Sequence, residues 1–185
     1  ETFNSITVDG ERSTNDSVFL LANGVSGVEI NEKLYESFVE GLRQVCSTLA
    51  QEIVRGGEGA TKLVAITVSD AKSKDEARRV ARTVANSLLV KTAVHGADPN
   101  WGRIMMALGK SGADLVESII DIFINDIHIV HEGLAIPFFK DAVVSAMTVP
   151  EVRFRVDLNM GENSATAWGC DLTEEYVTYN SAYST

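Results

Sequence analysis

Leu63-Val64-Ala65-Ile66-Thr67-Val68, followed after a four-residue break by Ser73-Lys74-Asp75-Glu76-Ala77-Arg78-Arg79-Val80-Ala81-Arg82-Thr83-Val84-Ala85, decides how this chain folds. The first run carries apolar residues on both alternating faces, the pattern of a strand inside a sheet. Ser73 and Glu76 have capping-box spacing and predict a helix start. Ala77, Val80, Ala81, Val84, Ala85 and Leu88 then give that helix a narrow small-residue face, which suits close packing on a sheet.

Upstream, Leu34, Phe38, Leu42, Val45, Leu49 and Ile53 recur every three or four positions. Glu32 suits the first turn of the helix they predict, Arg55 its last turn, and Gly56-Gly57 its stop. Further back, Ile6 to Val8 and Val18 to Leu21 read as strands, separated by the polar turn region from Asp9 to Asp16 and followed by the breaker Asn23-Gly24.

Downstream, Val90 to Arg103 is dense in punctuation: Gly96, Pro99 and Gly102 constrain the backbone, while Asp98 and Asn100 bond it locally. Ile104 to Leu108 continues as a helix ending near Gly109. Ile119 to Ile124 and Ile127 to Val130 read as a hairpin around Asn125-Asp126, although Gly second would be a stronger turn signal. A short helix over Phe138 to Met147 precedes a half-exposed strand in which Val152, Phe154, Val156 and Leu158 alternate with Arg153, Arg155 and Asp157. A turn at Gly161 to Asn163 leads into Ala165 to Gly169. Helices dominate before Gly112 and strands after it, so residues 1–185 read as one globular unit with a sublayer boundary near 112.

The 185 residues are 45% hydrophobic, enough for one substantial core. No apolar run approaches the ~20 residues that span a bilayer, and the first residues lack a signal-peptide pattern, so the cytoplasm is the expected compartment. The net charge of -10 gives no footprint for nucleic acid. Cys46 and Cys170 lack metal-type spacing and read as reduced, buried thiols.

Several motifs yield to plainer readings. Gly109-Lys110-Ser111 ends like a phosphate-binding loop, but Ile104 occupies the first glycine position. His128 and His131, three apart in a strand, point to opposite faces and cannot share a metal without a bulge, so no metal site is expected. His95, Asp98, Asn100, Trp101 and Arg103 read as loop and cap residues, and Asp9, Ser13, Thr14, Asn15 and Asp16 as turn residues. Glu58, flanked by glycines before the central strand, reads from sequence as a solvated turn residue that a ligand could approach closely.

Four separated pieces carry a resemblance: Phe3 to Asp16, Gly57-Glu58-Gly59-Ala60-Thr61-Lys62, Val90 to Arg103, and Ala167 to Tyr176 with Asn180-Ser181-Ala182-Tyr183-Ser184-Thr185. Together, and in this order, they resemble the β chain of ornithine acetyltransferases. The resemblance implies an α+β fold, a mixed layered arrangement of sheet and helices completed by an α chain. It also implies acetyl transfer from N-acetylornithine to glutamate through an acetyl-threonine enzyme, in an α2β2 or larger assembly.

In that family the nucleophile is the N-terminal threonine that self-cleavage creates. Glu1-Thr2-Phe3-Asn4 matches sequence well downstream of the cut, so the chain is expected to be the C-terminal part of a β chain. No catalytic residue is then expected in it, and the β N-terminal segment and the α chain are its implied partners. The resemblance makes Glu58, Asn180 and Thr185 substrate-binding residues, with Tyr179 and Tyr183 large enough to anchor the tail. No cofactor is implied, and acetyl-CoA stays open as a substrate. A related self-cleaving aminopeptidase and a non-catalytic binding subunit are the alternatives.

Overall fold

The computed structural model describes residues 2–182. In chain order the elements are α1 (Glu32–Arg55), β1 (Leu63–Ala71), α2 (Lys74–Ala85), α3 (Leu88–His95), α4 (Trp101–Lys110), β2 (Asp121–Ile124), β3 (Ile127–His131), β4 (Leu134–Ala135), α5 (Lys140–Met147), β5 (Glu151–Asp157), β6 (Asn163–Cys170) and α6 (Glu174–Ala182). One six-stranded mixed sheet runs in the order β4-β3-β2-β5-β1-β6. This is the expected α+β architecture.

The strand and helix quoted first form its centre. β1 lies between β5, which it pairs in parallel, and β6, which it pairs antiparallel. Val64, Ile66 and Val68 point into a core shared with Ala77, Val80, Ala81 and Val84 of α2, all of them buried. The small side chains let the helix axis approach the sheet. Gly169 of β6 serves the same contact, since a Cβ there would stand 3.5 Å from that of Ala85. Ser73 Oγ accepts from the Glu76 amide at 3.2 Å, and the Glu76 carboxylate reaches back to the Lys72 N–H, one residue before the cap.

Among the described residues, the other sheet face is covered only at one end. Val54 of α1 packs with Leu63 and Cys170, joined by Ile6, Val8 and Trp168. Ile6 to Val8 is not a full strand: it contributes one parallel bridge, Ile6 to Trp168, with the Thr7 amide donating to the Trp168 carbonyl. Val18 to Leu21 is no strand at all. It has no ladder partner among the described residues, and all four side chains are exposed. α1 has the expected period and length, with Asn31 as its cap. Its stripe of Leu34, Phe38, Val45, Leu49 and Ile53 nevertheless faces outward, and only Ala50 and Val54 are buried.

Smaller adjustments have local causes. Leu88 does not extend α2 but opens α3, because Ser87 caps a new helix. α4 continues through Gly109 to Lys110, and Gly112 at φ +69° turns the chain away. Asn125 and Asp126 both adopt positive φ, so the two-residue hairpin forms without the glycine. β3 carries an irregularity that changes the reading of its histidines. Ile122 pairs with Val130 but Phe123 pairs with His128, so Ile129 is an extra residue, and His128 and His131 share a sheet face instead of opposing each other.

Candidate substrate-binding site

Glu58 sits in the turn joining α1 to β1, closed by the Ala60 amide donating to the Gly57 carbonyl at 2.9 Å. Its flanking glycines are demanded by neighbours. A Cβ on Gly57 would lie 2.9 Å from the Val8 side chain and 3.1 Å from the Val54 carbonyl. Gly59 has φ +67°, and a Cβ there would fall 2.6 Å from the Tyr176 amide nitrogen and 2.8 Å from Thr173 Oγ1. The turn is therefore pressed against the segment after β6.

That segment is strapped down by Asp171, whose side chain is fully buried. Asp171 accepts from the amides of Thr61 and Lys62 at 2.8 and 2.9 Å and from the Thr61 hydroxyl at 2.6 Å. Burial pushes its carboxyl pKa up, but those bonds and His95, 3.3 Å away, pull harder, and the net shift is downward. Thr173 adds a bond from its hydroxyl to the Gly59 carbonyl at 2.7 Å. α6 starts at once, so its direction is set by the same contacts that hold the Glu58 turn.

In the first turn of α6, the Tyr176 hydroxyl donates to Asp9 at 3.0 Å. Burial, then the acidic partner, raises the Tyr176 pKa. The next turn brings Asn180 over the glutamate: its Nδ2 donates to Glu58 Oε2 at 2.6 Å and to the Tyr176 carbonyl at 2.9 Å. Residues 122 positions apart thus meet at one exposed spot. Tyr179, expected as an anchor, is exposed, and Tyr176 anchors instead because its side of the helix faces the body. Tyr183 and Thr185 lie outside the described residues.

Glu58 and Asn180 open onto a groove of about 1450 Å³. Its wall includes Arg78, Arg79 and Arg82 on the polar side of α2, opposite the small-residue face that meets the sheet. Sequence reasoning passed over these three. Their signal was the cluster of arginines on a helix whose other face is committed to packing.

The loop from His95 to Arg103 meets the strap through His95, 3.3 Å from Asp171. Asn100 accepts from the Arg103 amide and caps α4, while the Arg103 side chain donates to the Leu89 carbonyl and Thr92 hydroxyl. Lys62 Nζ donates to the carbonyls of Val94 and His95 at the end of α3, and burial lowers its pKa. Buried Lys91 donates to the Val8 and Cys170 carbonyls at 2.6 Å each, joining the first segment to β6. Cys46 and Cys170 are both free thiols, but only Cys170 is buried; Cys46, on the outward-turned α1, is half-buried.

The profile of the ArgJ family matches residues 1–185. This chain belongs to the ArgJ family. A glutamate N-acetyltransferase of Methanocaldococcus jannaschii is 44% identical over 195 aligned residues, covering 100% of this chain and 48% of its own length. The arginine biosynthesis bifunctional protein ArgJ of Thermus thermophilus is 46% identical, covering 100% of this chain and 47% of its own. The crystal structure of the Bacillus halodurans protein of that name superposes with a TM-score of 0.96 at 41% identity, over 99% of this chain and 88% of the crystallised one. The chain spans about half the length of the curated ArgJ relatives it matches. Among the described residues, no helix is long and apolar enough to cross a membrane.

Proposed function

We propose that this chain is the substrate-clamping part of a cytoplasmic ArgJ acetyltransferase that moves an acetyl group from N-acetylornithine to glutamate. The acetyl group passes through a threonine oxygen lying outside this chain. The threonine hydroxyl attacks the acetyl carbonyl, its proton passes by way of the threonine's own amine to the departing α-nitrogen, and ornithine leaves as the free amine. Glutamate's amine then takes the acetyl group and frees the hydroxyl.

The observation that carries the reading is the 2.6 Å contact between Asn180 and Glu58 on the groove. N-acetylornithine keeps one ammonium, on its side chain, because its α-nitrogen is acylated. Glu58 is the anionic partner for it, and Asn180 supplies a donor and an acceptor beside it. The arginines along the wall suit the carboxylates that both substrates carry. Thr185, at the end of the same segment, is assigned to the clamp with Asn180.

An α chain and the remainder of the β chain, in an α2β2 or larger assembly, are the partners we assign. What supports this is the uncovered apolar surface: Phe38, Val45, Leu49 and Ile53 on α1, with Phe19 and Leu21 upstream, all exposed. The test of the clamp is Glu58→Gln in the full-length enzyme. Loss of a charged hydrogen bond worth about 1.5–3 kcal/mol lowers kcat/KM for N-acetylornithine roughly 10- to 150-fold, with folding retained. Unchanged kinetics in both half-reactions would leave Glu58 as a turn residue and end the reading.

A further inference from the structure

The bulge at Ile129 assembles a group of side chains at the far end of the sheet from Glu58. Asp121 opens β2 opposite Asp157, the last residue of β5, whereas Glu58 precedes the strand end where Leu63 pairs with Glu151. Without the extra residue, alternation would send His128 and His131 to opposite faces. With it, both lie on the face of Asp121, and one donor atom from each of the three falls within 4.8 Å of the others. His131 Nδ1 is 2.8 Å from Asp121 Oδ1, and His128 Nε2 is 3.5 Å from the same oxygen.

Two features distinguish this from a chance grouping on a surface. His128 Nε2 and Asp157 Oδ1 are the buried side-chain polar atoms that have no hydrogen-bond partner among the described residues. A buried imidazole nitrogen without a bond forgoes stabilisation unless something binds it. The donors are also held in place from behind. The His128 ring stacks on Phe123 at 4.2 Å, and the Arg155 guanidinium lies 3.8 Å from the other ring's centroid. Asp121 is fixed by the Glu132 amide at 2.9 Å and by Asn159 Nδ2 at 3.3 Å, and Asn159 also donates to the Ile119 carbonyl. Outer-shell bonds of this kind orient metal ligands.

We propose that Asp121, His128 and His131 form a binding site for a divalent transition metal of the zinc class, clipping β2 to β3 across the bulge. Two imidazoles and one carboxylate select zinc, cobalt or nickel over magnesium and calcium, which take oxygen ligands. Zinc–ligand bonds of about 2.0–2.1 Å separate the donors of a tetrahedral site by about 3.3 Å, so small side-chain shifts complete the set. His131 gives up its contact with Asp121 and binds through Nδ1. The fourth position is left for water, with Asp157 as the neighbouring carboxylate.

Equilibrium dialysis of chelator-stripped full-length enzyme against zinc tests this, with cobalt as the spectroscopic probe. The expected result is one zinc retained per copy of this chain, a rise in melting temperature, and visible cobalt bands of low-symmetry, imidazole-bearing coordination. His131→Gln, at a side chain 53% exposed, keeps the fold and weakens binding by at least the ~10- to 100-fold that outer-shell changes alone cost. Asn159→Ala weakens it within that range. Acetyl transfer is unaffected in both variants. Zinc retention unchanged in a His128→Gln/His131→Gln double variant, or no stoichiometric zinc on the parent enzyme, overturns the proposal.

Discussion

Replacing Gly59 by alanine tests the coupling between the Glu58 turn and α6. Gly59 holds φ +67°, where an L-residue costs about 1–2 kcal/mol. The new methyl would stand 2.6 Å from the Tyr176 amide nitrogen, 2.8 Å from Thr173 Oγ1 and 3.1 Å from the Glu175 carbonyl carbon. These are mostly backbone atoms of a helix start, so relief requires α6 to move as a unit. Overpacking of this kind costs about 1–3 kcal/mol, and the total loss of stability comes to roughly 2–5 kcal/mol. The movement lengthens the Thr173–Gly59 bond first and then carries Asn180 off Glu58. Denaturant melts of the full-length enzyme read the stability arm, and steady-state kinetics on N-acetylornithine read the functional one. Because Gly59→Ala and Asn180→Ala break the same contact, the double variant loses less kcat/KM than the two single losses combined. A Gly59→Ala enzyme that melts like the parent would refute the packing argument. Reduced stability with additive kinetic losses would refute the coupling alone.

Two further outcomes follow from the same strap. The folded-state pKa of Asp171 is depressed, so its contribution to stability is complete above the unfolded carboxylate value of about 3.9 and disappears as pH falls through the folded value. Asp171→Asn therefore lowers stability at neutral pH by about 1.5–3 kcal/mol or more, and the gap to the parent closes in melts taken below about pH 4. At the end of the chain, Asn180→Ala and deletion of Thr185 each raise the KM for N-acetylornithine while leaving melting nearly unchanged. Parent-like kinetics in both would remove the tail from the clamp.

What the sequence revealed divides along the range of the forces involved. β1, α2 and the Asn125-Asp126 hairpin were legible because period, cap and turn chemistry act within a few residues. α1 was legible as a helix but not in its orientation. Its period fixes which side chains share a stripe, and nothing in the period says what covers them. Val18 to Leu21 has strand composition, yet a strand needs a neighbour, and composition cannot supply one. The histidines failed for a sharper reason. Alternation is a parity rule, and a single extra residue at Ile129 reverses the parity of everything after it.

The candidate site shows the same limit from the opposite direction. The glycines around Glu58 announced a turn, but glycine is ambiguous between a reversal that needs positive φ and a backbone that needs room. Gly59 requires both and Gly57 the second, and the groups that impose this, Tyr176 and Val8, are more than 45 residues away in sequence. Buried Asp171 and Lys91 and half-buried Lys62 are likewise satisfied by carbonyls and amides far along the chain, which local spacing does not encode. Glu58 and Asn180 were linked in the sequence through family resemblance, whereas their contact depends on a physical chain of causes. Asp171 fixes where α6 begins, Gly59 how close it comes, and two helical turns place Asn180 over the carboxylate. A substitution anywhere in that chain of contacts acts on the Asn180–Glu58 contact from a distance, which is why the strap is the more informative place to perturb the proposed clamp.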